Sequence, residues 1–121
     1  MSNQKTIQHS LKKDRHVSTR GGNSHFLNLF CSRCNQHLAL YQKDGHGGLF
    51  RIYLDRIIEP SGLASLRLSV NNKTTMPNLK CSKCDALIGI PMRYEEERRL
   101  AFRLIRGLFI KKKSNGIYPP I

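Results

Sequence analysis

Four side chains in this sequence have the type and spacing to hold a metal ion. They are the cysteines of Cys31-Ser-Arg-Cys34 and Cys81-Ser-Lys-Cys84, and the chain has no others. Two thiolates three positions apart in a tight turn reach the same ion, while the backbone N–H groups between them point at the sulfurs. Two such pairs read as one tetrahedral four-cysteine zinc site. Asn35 and Asp85 follow the second cysteine of each pair, and both types tolerate the left-handed backbone such a turn demands. Four sulfurs close the coordination sphere, which makes the expected ion structural and not catalytic. Iron in a rubredoxin-like site uses the same ligands; two separate redox motifs or four free thiols are the other readings. Residues 1–20 are polar and do not read as a secretory signal, so a reducing, cytoplasmic setting is expected and disulfides are not.

The elements that must position these turns are mostly strands. The pairs are separated by 46 residues, 35–80, and closing so long a loop through a metal restricts the unfolded chain. Residues 26–30 lead into the first pair as a strand, and 37–43 leave it as another. The glycine-rich Asp44-Gly45-His46-Gly47-Gly48 reads as a hairpin connection, and 49–58 as the returning strand, with Phe50, Ile52 and Leu54 on one face. Pro60-Ser61-Gly62 marks a turn. Leu66, Leu68 and Val70 then alternate with polar residues as a strand would. Residues 87–94 form a strand whose Pro91 indicates an edge or a bulge. Residues 95–106 are ambiguous: three glutamates followed by basic residues give helix-like charge order over 95–100, yet Leu100, Phe102 and Leu104 alternate. Gly107 punctuates, and 108–112 reads as a last strand.

The flanks differ in composition. Residues 1–25 carry Lys5, Lys12, Lys13, Arg15 and Arg20 against Asp14, with isolated apolar positions, and read as a disordered basic tail. Residues 114–121, with Gly116 and Pro119-Pro120, read as a flexible end. The expected fold is therefore mainly β. It is a small antiparallel domain over 26–113, zinc-ribbon-like, with two zinc knuckles.

The motif Cys81-Ser-Lys-Cys84-Asp-Ala-Leu-Ile-Gly89, a following strand into Tyr94-Glu95 and the later Gly107-Leu-Phe-Ile110 resemble the C-terminal half of Yippee-like proteins. That resemblance implies the β-tent fold, shared with the thalidomide-binding domain of cereblon and with Mis-eighteen-type centromeric proteins, in which two antiparallel sheets meet near a zinc site of four cysteines. It spans roughly 29–112 on the knuckles and about ten other positions. The tryptophan cage of the cereblon type has no counterpart, because the chain has no Trp. Ile90 stands where Yippee-like proteins commonly have a tryptophan. Residues 41–45 and 49–57 also resemble small uncharacterised prokaryotic zinc proteins. Methionine sulfoxide reductase B shares the paired spacing but needs a further cysteine, and all four here are committed to the metal.

The charge directs the functional reading. Twenty-one Lys and Arg against eight Asp and Glu give +13, and a zinc tetrathiolate would lower this by about two. Such a balance favours polyanions. Arg33, Arg51, Arg56, Arg67, Lys83, Arg103, Arg106, Lys111 and Lys112 are the candidate nucleic-acid contacts, with Tyr41, Tyr53 or Phe50 as aromatics among them. No constellation reads as catalytic. His37 is a hydrogen-bond donor to a thiolate or a surface histidine. Asp44 to Gly48 is a ligand loop or a turn, and Asp55 beside Arg51 and Arg56 is an ion-paired strand residue. No apolar run has the roughly 20 residues of a membrane span. The expectation is a non-enzymatic zinc-stabilised module that binds nucleic acid. A protein adaptor of β-tent type is the alternative, and small-molecule binding or an enzymatic role ranks below both.

Overall fold

Alternation sets the inner faces of the sheets. In strand β2, Ser24–Cys31, Leu27, Leu29 and Cys31 point one way and Phe26, Asn28 and Phe30 the other. The computed structural model describes residues 6–19 and 21–120. Ahead of β2 stand β1, Ile7–Gln8, and helix α1, Arg15–Thr19. After it come β3, His37–Asp44; β4, Arg51–Tyr53; β5, Ile57–Glu59; and short helices α2, Ser61–Ala64, and α3, Leu66–Ser69. The second half holds β6, Leu79–Lys80; β7, Leu87–Tyr94; β8, Arg99–Leu104; β9, Phe109–Ser114; and β10, Ile117–Tyr118. The small, mainly β, antiparallel fold expected from the sequence is what the chain forms.

Two four-stranded antiparallel sheets, ordered β5-β3-β2-β9 and β4-β8-β7-β6, enclose the core. Leu29, Tyr41, Ile52, Ile88 and Phe102 meet there, each at most 2% exposed. Full burial of a side chain such as Phe102 contributes about 1.5–3 kcal/mol. Pro91 sits where β6 no longer reaches: β6 pairs β7 only as far as Gly89, so the missing N–H at Pro91 breaks no ladder bond on that side.

Several expectations are corrected. The glycine-rich stretch after β3 closes no hairpin, because β3 and β4 belong to different sheets and 45–50 cross between them. Residues 54–56 form a 3-10 turn that breaks the expected strand 49–58. The alternation at 66–70 is helical: Ala64 N–H bonds Pro60 C=O and Val70 N–H bonds Leu66 C=O, leaving Leu68 exposed. Glu95 to Arg98 is a turn, with Arg98 at φ 52°, and from Arg99 the alternation of Leu100, Phe102 and Leu104 is that of a strand.

Over the described residues both flanks carry secondary structure, where a disordered tail and a flexible end were expected. β1 pairs β10, so the two flanks make a third, two-stranded layer. Gln42, fully buried on β3, accepts from Lys12 N–H at 2.6 Å and donates to Lys12 C=O at 2.8 Å, as a neighbouring strand would. Lys5, Arg20 and Ile121 lie outside the described residues.

Arg56 fixes this layer to the domain. It is 0% exposed, and its guanidinium bonds Asp14 through both terminal nitrogens, at 2.6 and 3.0 Å, and Asp44 through Nε at 2.7 Å. Burial works against the Arg56 charge, but the two carboxylates outweigh it and raise its pKa. The guanidinium in turn holds Asp14 below its ordinary value. At Asp44 burial pushes upward, and bonds from Ser24, Arg56 and Gln42 outweigh it. Removing one partner of such a buried set strands the others. Arg56→Met is expected to lose about 3–5 kcal/mol, read by urea denaturation. Both carboxylates are depressed in the folded state, so their stabilisation is complete above the ordinary Asp value near 3.9 and fades as pH falls through the folded values. An acid-denaturation series should show a shallower acid-side loss for Asp14→Asn than for the native chain.

Candidate metal centre

The two cysteine pairs occupy equivalent hairpin turns, one between β2 and β3 and one between β6 and β7. Cys31 N–H bonds Gln36 C=O and Asn35 N–H bonds Cys31 C=O, each at 2.8 Å; Cys81 N–H to Ala86 and Asp85 N–H to Cys81 repeat the pattern at 2.9 Å. Asn35 at φ 65° and Asp85 at φ 63° supply the left-handed residue that ends each turn. Each sheet thus presents one knuckle, and the knuckles face one another.

The four Sγ atoms lie within 4.8 Å of one another. Two of the separations run between knuckles, Cys34 to Cys81 at 3.4 Å and Cys31 to Cys84 at 3.6 Å. Tetrahedral coordination with Zn–S near 2.3 Å requires sulfurs about 3.8 Å apart, so the cluster has the dimensions of a four-sulfur metal site. Burial pushes the Cys31 thiol up, but the N–H groups of Cys34 and Arg33 outweigh it and hold the thiol below its ordinary value. At Cys81 the N–H groups of Cys84 and Lys83 outweigh burial in the same way, leaving about 7. Cys34 receives the Gln36 N–H, yet burial and the neighbouring sulfurs raise it to about 11. Packing four thiols this closely disfavours several negative charges without a cation among them, which is the chemistry of a metal-ligand set.

The β8–β9 turn caps the first knuckle: Ser32 N–H bonds Leu108 C=O and Ser32 Oγ donates to Gly107 C=O. Arg33 and Lys83, both exposed, sit inside the two knuckles, and exposed Arg106 lies in the capping turn. That turn runs into β9, an edge strand with exposed Lys111, Lys112 and Lys113; Lys112 stands 5.4 Å from the Phe30 ring. Arg33, Lys83, Arg106 and the β9 lysines therefore follow one another along the metal end and one sheet edge.

The other candidate contacts fall elsewhere. Arg67 is exposed on α3, and Arg51 lies opposite Arg103 in the β4–β8 ladder, its guanidinium 4.0 Å from the Tyr94 ring. Arg56 is no surface contact at all, being consumed inside the fold by Asp14 and Asp44. Asp55 is ion-paired as expected, but with Arg99, through two bonds at 2.6 and 3.2 Å, and not with its sequence neighbours. Among the candidate aromatics, Tyr41 and Tyr53 are buried and Phe50 is 72% exposed.

His37 does not reach a thiolate. Its Nε2 lies 2.9 Å from Asn28 Oδ1 and its ring packs on Phe30 and Tyr118. Burial lowers its pKa. Asp44 and His46 line a cavity of about 140 Å³ together with Tyr41, Lys43, Arg51 and Tyr53, so this stretch is more than an exposed turn. Asp44 there is held ionised by Arg56 and suits ion pairing better than proton transfer. Sequence reasoning passes over Gln42 and counts Arg99 only among the basic residues of the C-terminal stretch, whereas it is buried with Asp55 and Glu97. The only signal of Gln42 is a polar residue at the end of the apolar run 38–41.

Substituting any one ligand should abolish stoichiometric metal. Cys81→Ser is expected to fall well below one metal per chain by elemental analysis and to lower the thermal midpoint. Asn35→Gly should be tolerated, while Asn35→Val should cost about 1–2 kcal/mol through its φ alone, measured by chemical denaturation. No family model, no curated protein and no solved structure matches this chain.

Proposed function

We propose that the chain is a zinc-stabilised β module, without catalytic activity of its own, that binds nucleic acid through its uncompensated basic surface. Zinc is the first choice of metal because four thiolates in a closed tetrahedral set suit it and leave no open position for chemistry. Two antiparallel sheets joined at their cysteine turns agree with the β-tent resemblance.

One observation carries the polyanion reading. Of the eight acidic side chains, seven are engaged within the chain. Asp14 and Asp44 bind Arg56; Asp55 and Glu97 bind Arg99; Glu59 binds His9; Glu95 binds Arg93; and Glu96 accepts from the Tyr94 hydroxyl. Arg33, Arg67, Lys83, Arg103, Arg106 and the three β9 lysines form no ion pair among the described residues. Internal pairing thus spends the acids and leaves the exposed cations to face solvent, where phosphates would displace their counterions. An adaptor would instead call for a contiguous apolar patch. The exposed large apolar residues among those described, Ile7, Phe50, Leu68 and Ile110, sit on different elements.

The test is a fluorescence-anisotropy titration of labelled oligonucleotides against the metal-loaded chain at several salt concentrations. Affinity should fall steeply with salt, and replacing Lys111, Lys112 and Lys113 by Gln should lower the log–log slope by about 2–3. Absence of binding to any oligonucleotide at about 0.1 M salt would refute the reading. Elemental analysis should return zinc at one per chain, and chelation should unfold the domain as followed by circular dichroism.

A further inference from the structure

The cavity that His46 and Asp44 line is wrapped by residues 41–53, and nothing in the metal centre uses it. Its volume, about 140 Å³, is close to that of cavities known to admit a benzene-sized guest. Its wall is basic and phenolic: Tyr41, Tyr53, Lys43 and Arg51 line it, while Arg99 is paired with Asp55 and Glu97 and the one acid, Asp44, with Arg56. Tyr41 is buried, its hydroxyl accepts from Tyr53 N–H at 2.9 Å, and the hydroxyl's own proton has no acceptor among the described residues. A buried donor left over in a cavity wall is a group waiting for an acceptor.

The rim adds an aromatic surface. Phe50 lies over Gly48, where a side-chain carbon would come within 2.9 Å of Phe50 Cζ, so the missing side chain is what lets the ring rest on the backbone. A ring that is 72% exposed and seated in this way is a stacking platform. Beside it Arg51 and Arg103 stand directly opposite one another in the ladder, and like charges in that relation repel unless an anion lies between them. We propose that this cavity receives one unstacked nucleotide of a single strand, its base on Phe50 and facing the Tyr41 hydroxyl, its phosphate between Arg51 and Arg103. The proposal rests on the nucleic-acid reading above and specifies the form of nucleic acid, a single strand, because a paired base cannot enter a cavity.

The test uses the full metal-loaded chain with a labelled single strand of about 12 nucleotides and the duplex of the same sequence. The single strand should bind about threefold or more tightly than the duplex. Phe50→Ala should weaken single-strand binding by about five- to hundredfold and leave duplex binding and the salt slope unchanged, while Phe50→Trp retains it. Gly48→Ala should weaken it too by displacing the ring, and Arg103→Gln should reduce the salt slope by about one. Unchanged thermal midpoint and metal content establish that the variants fold. If Phe50→Ala and Gly48→Ala bind the strand as the native chain does, or lose strand and duplex equally, the cavity proposal is overturned while the basic-surface reading stands. If the native chain binds neither form, both fall.

Discussion

Everything in this domain hangs on the meeting of four sulfurs from two sheets. Each sheet ends one of its hairpins in the same hydrogen-bonded turn, and sulfurs of one turn lie within 3.6 Å of sulfurs of the other. The hydrophobic core lies between the sheets but is modest for the chain, with no Trp to fill it. A metal tetrathiolate would convert two neighbouring turns into one joint and set the angle at which the sheets diverge. The positions of β9, paired to the strand that carries Cys31, and of the β8–β9 turn, bonded to Ser32, follow from that joint.

Away from the sulfurs, two buried arginines hold the layers together. Arg56 joins the amino-terminal segment to the end of β3, and Arg99 joins the 3-10 turn to the β7–β8 turn through Asp55 and Glu97, with its guanidinium 3.7 Å from the Tyr53 ring. These pairs do more than tie segments down. Each arginine takes up two acids, so the pairs leave the remaining surface more positive than composition alone would.

The metal centre is the most legible part of the sequence, because spacing within a turn is a local property: the C-x-x-C pairs and the Asn35 and Asp85 that close them need no tertiary information. Strands β3 and β7 are equally readable from periodicity. What escapes is non-local. The polar composition of residues 6–19 looks like a tail because its partners, Arg56 and Gln42, are distant in sequence and only the fold brings them near. Arg56 looks like a surface charge for the same reason. At residues 66–70, five positions of alternation do not separate a strand from a short helix, and the bonds from Leu68 N–H to Ser65 C=O and from Val70 N–H to Leu66 C=O settle it. The cavity under Phe50 is only half visible, since its walls come from β3 and β4, which belong to different sheets.

The lysines of β9 have a second physical effect. Among the described residues β9 ends its sheet with one side unpaired, an edge on which another chain could add a strand. Two copies approaching along that edge would bring three consecutive lysines from each into register, and their repulsion keeps the edge solitary. A polyanion lying along the same lysines would neutralise that repulsion. Were that surface occupied, the repulsion that opposes edge-to-edge joining would fall with it, because both depend on the same three side chains.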